Sequence, residues 1–349
     1  MGHVALKLDL SKAYDRVEWN FLERVLARLG FRSSCISFVL TCVSTVSYSI
    51  MLFGQKYGYL HPQRGLRQWE PLSLYLFLFC AEVLSSLISS AERTGELKGV
   101  AINRGGPQIS HLLFVDDTLI FCQATSEVMH YIRRILRTLE ATLGLKINLE
   151  KSSIVFSRNF PIVGREDLAA ILRNQVEAKH DKYLGMPAVV SRSKREIFLH
   201  LKDRVWSRLQ SWKCKNLSQA GKAILLKIVI QSTRTFVMSC FLVPSSICHE
   251  IKGVMANFFW HNKDVRKSHW LAWDKLCGHK EAGGLGFWKM GAFNLAILAK
   301  QLWRIVSNTD IVLSRLLKHK YFPTSDVLTA TPSQGYSFTW KSMFWRHVP

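Results

Sequence analysis

The sequence HLLFVDDTLIFC at residues 111–122 places two adjacent carboxylates, Asp116 and Asp117, between two short apolar runs. Apolar runs that flank such a polar pair predict a β-hairpin with both acids at or beside its turn. Adjacent like charges in a partly apolar setting repel each other, so the pair persists most easily where a cation neutralises it. Hard divalent ions such as Mg²⁺ prefer carboxylate oxygens. The alternative is an ordinary polar turn, in which aspartate is common.

A third carboxylate ends the first predicted strand. Apolar residues alternate along residues 4–8, which is the period of a half-buried strand, and Asp9 follows directly. We predict that Asp9 and Asp116 converge, because both lie at strand ends and together could hold two metal ions for phosphoryl transfer. Asp117 is expected to contribute less, because neighbouring side chains on a strand diverge.

Four segments, in this order, resemble the motifs of reverse transcriptases from plant non-LTR (LINE-type) retrotransposons. Residues 7–19 (KLDLSKAYDRVEW) resemble motif A, and residues 65–88 resemble motif B. Residues 114–117 (FVDD) resemble motif C, and residues 144–152 (GLKINLEKS) resemble motif D. The sequence YLGMP at 183–187 is similar to the segment that leads from palm to thumb.

The resemblance implies an α+β fold. It predicts a partial right-hand polymerase palm, an antiparallel sheet with helices on one face, followed by an α-helical thumb-like region. We expect a palm at residues 1–158, a connection and basic thumb-like region at 159–262, and a Trp-rich C-terminal region at 263–349 that is truncated. The C-terminal tryptophans are expected to be core residues more often than base-stacking ones.

The resemblance also implies catalytic roles. Asp9, Asp116 and Asp117 would bind two Mg²⁺ ions, which lower the barrier to attack of a primer 3′-hydroxyl on the α-phosphate. Lys151 matches the motif D lysine that is proposed as the general acid to the leaving pyrophosphate; the alternative is a surface lysine.

Three further residues would contact the substrate. The main-chain carbonyl of Leu10 could add a hard ligand, and Tyr14 stands where the family places an aromatic that screens the sugar 2′ position. Gln68 resembles the motif B glutamine near the incoming nucleotide. The alternative for Tyr14 is a core tyrosine, and Asp15 is expected to support local structure.

Motif B departs from the family pattern. The family usually has QGDP where this chain has QWEP, so Trp69 replaces the glycine that lets backbone approach a ligand closely. Glu70 replaces aspartate, and Leu74 replaces a proline. The chain starts within motif A, so the fingers and the endonuclease domain are expected to be absent. These departures predict a truncated and inactive remnant.

The net charge of +22 favours a polyanionic partner, here an RNA template and a DNA primer bound through phosphates. Residues 191–234 carry eleven Lys and Arg against two acids. A solvated helix face is the alternative, but this imbalance indicates contact with a nucleic-acid backbone. The candidate residues are Arg192, Lys194, Arg195, Lys202, Arg204, Arg208, Lys213 and Lys215.

The eight cysteines form no CxxC pair, which favours free thiols and an intracellular protein, with the nucleus a plausible location. A zinc site around Cys277 and His279 is a minor alternative. The apolar run at 71–91 predicts a buried helix, and no membrane partner is expected.

The competing functions share these carboxylates or this charge. The sequence predicts an RNA-directed DNA polymerase by descent, and the main alternative is a non-catalytic nucleic-acid-binding protein derived from it. A group II intron maturase shares the palm but not the thumb-to-Trp-rich sequence. A Mg²⁺-dependent nuclease or phosphatase would leave motif B without a role.

Overall fold

A computed structural model of the chain divides into two compact units, Met1–Leu184 and Gly185–Pro349. Within the predicted basic segment, Arg192, Lys194 and Lys215 lie outside the described residues, as do the side chains of Arg195 and Lys213. The predicted three-part division stays a prediction. The structure describes residues 2–177, 182–183, 186–187, 195–213, 217–231, 235–260, 269–327, 329 and 337–344.

The first unit alternates strands and helices, as the sequence predicts. Its strands are β1 (His3–Asp9), β2 (Tyr48–Leu52), β3 (Gln55–Leu60), β4 (Val100–Ala101), β5 (Gln108–Ile109), β6 (His111–Phe114), β7 (Asp117–Gln123), β8 (Ser153–Phe156), β9 (Gln175–Glu177) and β10 (Lys182–Tyr183). Its helices are α1 (Ala13–Arg16), α2 (Trp19–Arg28), α3 (Ser33–Ser44), α4 (Pro71–Arg93), α5 (Ser126–Leu143) and α6 (Arg165–Leu172).

A five-stranded sheet in the order β6-β7-β1-β8-β9 is the frame of this unit. Strand β1 lies at its centre and pairs antiparallel with both β7 and β8. Val4, Leu6 and Leu8 are buried on one face of β1, whereas Ala5, Lys7 and Asp9 remain half-exposed on the other. The α+β palm predicted from the sequence is therefore confirmed, with the helices packed against one face of the sheet.

The edge strand β9 differs from the prediction. The sequence predicted that the palm ends at residue 158 and that a connection and thumb-like region follows, but β9 pairs in parallel with β8 and extends the sheet. Helix α6 makes this parallel arrangement possible, since it crosses from the end of β8 back to the start of β9. Three residues of strand carry too little periodicity to be recognised from sequence.

The two long helices of the unit begin and end at the expected signals. Helix α4 has Pro71 at its first turn, where a missing N–H costs nothing. Helix α5 is capped by the Thr125 hydroxyl and ends at Gly144, whose φ of 70° suits glycine. Helix α4 is also long and apolar enough to span a membrane by length and composition. It packs against α2 and α5 and buries a stripe that includes Phe77, Cys80 and Leu84, as expected for a core helix.

The hairpin of β2 and β3 stands outside the main sheet. Its two strands pair with each other through a loop of Phe53 and Gly54, and form a separate two-stranded sheet. Every residue of the hairpin is exposed except Ser49, which is of intermediate exposure. Isolated hairpins are marginally stable in water, so this one depends on its own turn and pairing.

The described part of the second unit is built from helices, apart from β11 (Met186–Pro187). Asn294 ties its elements together, because its amide donates to the carbonyls of Met238 and Phe241 and its Oδ1 accepts from the Val243 N–H. The helices are α7 (Arg195–Lys213), α8 (Gln219–Leu225), α9 (Thr235–Cys240), α10 (Ser245–Trp260), α11 (Trp273–Leu276), α12 (Met290–Ser307), α13 (Val312–Tyr321) and α14 (Phe338–Met343), with a π-helical segment at Leu226–Gln231.

The tryptophans of this unit divide between core and surface. Trp273 and Trp340 are buried and stack on neighbouring aromatic rings, as expected. Trp270, Trp303 and Trp288 are 83%, 69% and 40% exposed. The expectation that these residues are core is therefore wrong for three of the described tryptophans, and composition could not separate the two groups.

Candidate active site

The register of the sheet brings three carboxylates to one end. Asp9 is paired with Asp117 across β1 and β7, and Asp116 precedes Asp117 in the two-residue loop of the β6–β7 hairpin. Paired residues on antiparallel strands lie about 5 Å apart and sequence neighbours 3.8 Å, so the Cα atoms of Asp9 and Asp116 are within about 9 Å. We call Asp9, Asp116 and Asp117 the carboxylate cluster.

The charges of this cluster act on one another. Burial raises the pKa of Asp117, the Lys7 ammonium opposes this rise, and the carboxylates of Asp116 and Asp9 add to it. Lys7 lies two residues before Asp9, so both side chains point to the same face of β1. Lys7 was not among the predicted site residues, although its two-residue spacing from Asp9 on a strand indicates a position on the same face.

The loop before Asp116 is conformationally strained. Val115 has a φ of 54°, in the left-handed region that β-branched residues avoid. Its side chain packs against the core and lines a small apolar cavity of about 30 Å³ beneath the hairpin. Tertiary packing therefore holds a backbone conformation that the residue itself disfavours, and this conformation directs Asp116.

The loop that follows α5 fixes the backbone of Asp9. The Asp9 N–H donates to the Ser152 hydroxyl at 3.1 Å, and its carbonyl accepts from the Asn148 N–H at 2.9 Å. Leu10 forms an isolated bridge with Ile147 on the same loop. Lys151 is exposed there, and its N–H donates to the Asn148 side chain. The structure thus places motif D directly against motif A.

Tyr14 lies between the carboxylate cluster and α4. Its ring stacks on Phe77, with 4.7 Å between centroids and an interplanar angle of 19°. Burial and the negative charge of Asp116 both raise the pKa of the Tyr14 hydroxyl. The ring is held by packing while the hydroxyl stays within the electrostatic range of Asp116.

Backbone hydrogen bonds attach the motif B loop to motif A. The Gly65 N–H donates to the Val17 carbonyl, and the Leu66 N–H donates to the Tyr14 carbonyl, both at 2.8 Å. Gly65 has a φ of 94°, and a Cβ there would stand 2.8 Å from the Asp15 carbonyl oxygen, so only glycine fits. The Gln68 amide then donates to the Asp15 carboxylate at 3.1 Å. This contact agrees with the expected local role of Asp15.

Trp69 is the unusual residue of this loop. It has a φ of 66°, and its side chain is fully exposed at 101%. A non-glycine residue in this conformation costs about 1–2 kcal/mol. The position therefore favours the glycine that the family pattern has there, and the indole projects freely from the loop.

The donor set of the cluster suits a hard cation. Carboxylate oxygens are the ligands that Mg²⁺ prefers, and the mutual repulsion seen at Asp117 is what a cation would relieve. Among the described residues, no three His, Cys, Asp or Glu side chains already form a metal-ligand group. Cys277 and His279, the minor zinc alternative, are likewise not part of such a group among the described residues.

The predicted basic residues on α7 fall into two groups. Lys202 forms an ion pair with Glu250 of α10. Arg204 and Arg208 are exposed, and each directly precedes a buried residue of the helix, Val205 and Leu209 respectively. This ion pair could not be predicted from the sequence, because Glu250 is 48 residues away from Lys202 and only the tertiary structure brings the two together.

Comparison with known proteins adds independent information. The family model described as reverse transcriptase (RNA-dependent DNA polymerase) matches residues 1–188, more than half of the chain. An uncharacterized mitochondrial protein of Arabidopsis thaliana is 41% identical over 110 residues, which cover 31% of this chain and 71% of that protein.

A retrovirus-related Pol polyprotein from a type-1 retrotransposable element R2 of Popillia japonica is 30% identical over 116 residues. These cover 33% of this chain and 16% of that protein, so the chain spans a small part of this longer relative. A solved telomerase from Candida tropicalis in complex with a TWJ fragment of telomeric RNA aligns over 93% of this chain and 50% of its own. Its TM-score is 0.38, with 14% identity.

Proposed function

The chain belongs to the reverse transcriptase (RNA-dependent DNA polymerase) family, and we propose that it is the palm-containing part of a non-LTR retrotransposon polymerase whose carboxylate cluster binds two Mg²⁺ ions. The observation that carries this proposal is the ladder pair of Asp9 and Asp117 with Asp116 beside it, inside the matched region. When bound, the two ions would stabilise the attacking and leaving oxygens of nucleotidyl transfer.

The residues around the cluster would supply positioning and proton transfer. Asp9 is held at both its N–H and its carbonyl, so its carboxylate is presented from a fixed backbone. Tyr14, stacked on Phe77, would limit the space at the sugar of the incoming nucleotide. Lys151 would give its proton to the leaving pyrophosphate, and Gln68 would border the nucleotide while bonded to Asp15. Fixed geometry of this kind is a large part of catalysis.

Nucleotidyl transfer is tested by primer extension on an RNA template with Mg²⁺. If the chain extends a primer, Asp9→Asn and Asp116→Asn should each lower the rate by at least about 100-fold, because a lost metal ligand removes charge stabilisation worth several kcal/mol. Asp167→Asn, at an exposed carboxylate of α6, is the matched control and should change nothing. Extension that survives Asp116→Asn would exclude the cluster as the active site.

The predicted inactivity of the unmodified chain remains a proposal, and Trp69 supports it. Its indole stands where the family pattern has a bare backbone, and would obstruct the approach of nucleotide or template. Mn²⁺ binding followed by electron paramagnetic resonance separates a blocked site from a lost one. If Trp69→Gly restores extension while metal binding is unchanged, obstruction is the cause. Extension by the unmodified chain would show that the proposed inactivity is wrong.

The main alternative, a non-catalytic nucleic-acid-binding protein, is favoured by the distribution of charge. The second unit holds 25 Lys and Arg against 8 acids, and so contributes most of the net charge. Nucleic-acid binding that is strong and salt-dependent, together with no metal binding and no extension by any variant, would support this alternative.

We also propose that α7 contacts nucleic-acid phosphates through Arg204 and Arg208. The double change Arg204→Gln and Arg208→Gln should weaken duplex binding and reduce the slope of log affinity against log salt by about 2, since each lost phosphate contact accounts for about 0.9. Lys202→Gln is the matched control on the same helix, because Lys202 already pairs with Glu250. If Lys202→Gln reduced the salt slope as much as the double change, the proposed difference between Lys202 and the two arginines would be wrong.

A further inference from the structure

Helix α12 presents an exposed stripe that neither the family match nor the predicted basic segment includes. Lys300, Trp303, Arg304 and Ser307 follow the spacing i, i+3, i+4, i+7, and all four are exposed. The opposite side of the helix packs into the unit through Asn294, Leu298 and Ile305, which are 1–3% exposed. The orientation of the stripe is therefore fixed by the core.

The stripe combines two features that are unfavourable in water. Trp303 is 69% exposed, although tryptophan is a large apolar residue that is highly buried on average. Lys300 and Arg304 are like charges four residues apart on one helix, a pair that destabilises it by a few tenths of a kcal/mol. A favourable interaction of Arg304 with the helix C-terminus accounts for one of these cations but not for Lys300 or Trp303.

The charged residues in the sequence around the stripe are almost all positive. Residues 282–325 contain six Lys and Arg, with Asp310 as the single acid. Helix α13 ends in a basic turn of Lys318, His319 and Lys320, and the Ser314 hydroxyl donates to the Ile305 carbonyl of α12. The N-terminal part of the exposed face carries small side chains, those of Ala292, Ala296 and Ala299.

We propose that this α12 face binds single-stranded nucleic acid, with a base stacked on the Trp303 indole and the adjacent phosphates contacting Lys300 and Arg304. A polyanion removes the repulsion between the two cations, and an unstacked base covers the indole. A duplex offers phosphates but no free base face, so it would use only the cations. The site does not include the carboxylate cluster, and it would be a second nucleic-acid contact in addition to the one proposed for α7.

The test is fluorescence anisotropy of a labelled oligo-dT or oligo-U of about a dozen nucleotides with the full chain. Trp303→Ala should weaken binding about tenfold or more, in keeping with the loss of one base-stacking contact. Trp303→Phe should retain most of the affinity, because a phenyl ring also stacks. On a blunt duplex of equal length, Trp303→Ala should leave the affinity unchanged.

Two matched controls make the result specific. Phe38→Ala removes an aromatic ring with the same 69% exposure from α3, and should leave single-strand binding unchanged. Lys300→Gln with Arg304→Gln should reduce the single-strand salt slope by about 1.4. Arg24→Gln with Arg28→Gln, two exposed cations four residues apart on α2, should leave it unchanged.

Three outcomes would overturn the proposal. In the first, Trp303→Ala binds single strands with the same affinity as Phe38→Ala. In the second, Trp303→Ala weakens duplex and single-strand binding equally. In the third, it changes only the oligomeric state in analytical ultracentrifugation, which would assign the face to a contact between copies. Because none of these measurements requires polymerisation or metal, they are independent of the fate of the carboxylate cluster.

Discussion

The β2–β3 and β6–β7 hairpins of the first unit have loops of the same length and differ in their surroundings. Both β2–β3 and β6–β7 join short apolar strands through a two-residue loop, and in both the first loop residue has a positive φ, 50° at Phe53 and 54° at Val115. Strand β7 is buried between β6 and β1, whereas β2 and β3 pair only with each other. The comparison shows that placement in a sheet, and not the hairpin pattern, makes a site for carboxylates.

The same substitution in each hairpin should give the largest contrast. Ile120 on β7 is 1% exposed and Ile50 on β2 is 52% exposed. We expect Ile120→Ala to lower the free energy of unfolding by about 2–5 kcal/mol, because it leaves a cavity in the core. Ile50→Ala should cost less than about 1 kcal/mol. Urea denaturation followed by circular dichroism measures both, and equal losses would mean that β2–β3 is covered by other structure.

The loop residues should give a smaller contrast of opposite sign. Phe53 is 105% exposed, so Phe53→Asn removes left-handed strain without removing contacts, and should stabilise the chain by about 0.5–1 kcal/mol as an Asn-Gly turn. Val115→Asn relieves similar strain but places an amide over an apolar cavity and removes packing. We expect it to be neutral or destabilising by thermal unfolding. Stabilisation by both changes would show that the packing of Val115 contributes little.

The pH dependence of stability should give the smallest effect. The pKa of Asp117 is raised on folding, mainly by burial, so its contribution to stability is greatest below the unfolded pKa and is lost as pH rises through the folded pKa. Asp117→Asn should therefore gain in Tm relative to the unmodified chain as pH increases from about 3 to 6. The difference is small because Asp117 is only partly buried and solvent screens its interactions. A Tm difference that does not vary with pH would show that Asp117 does not contribute to the pH dependence of stability.

Much of the first unit could be predicted because its signals are local. Alternation in residues 4–8 predicted β1, the DD pair predicted the β6–β7 turn, and the apolar run at 71–91 predicted α4. The edge strand β9, the ion pair of Lys202 and the exposure of Trp303 could not be predicted. Each depends on which distant residue is adjacent in space, and single-sequence periodicity carries no such information.

The sequence by itself determined where strands, helices and turns begin, because hydrophobic period and turn residues act over a few neighbouring residues. It also determined that the chain carries three carboxylates suited to a cation, and an excess of positive charge. Only the tertiary structure decided that Asp9 faces Asp117 through antiparallel register, that Asn148 and Ser152 hold the Asp9 backbone, and that packing keeps Val115 in the left-handed region. These features are set by pairing and packing between segments more than 100 residues apart, where the contacts of the fold outweigh local preference.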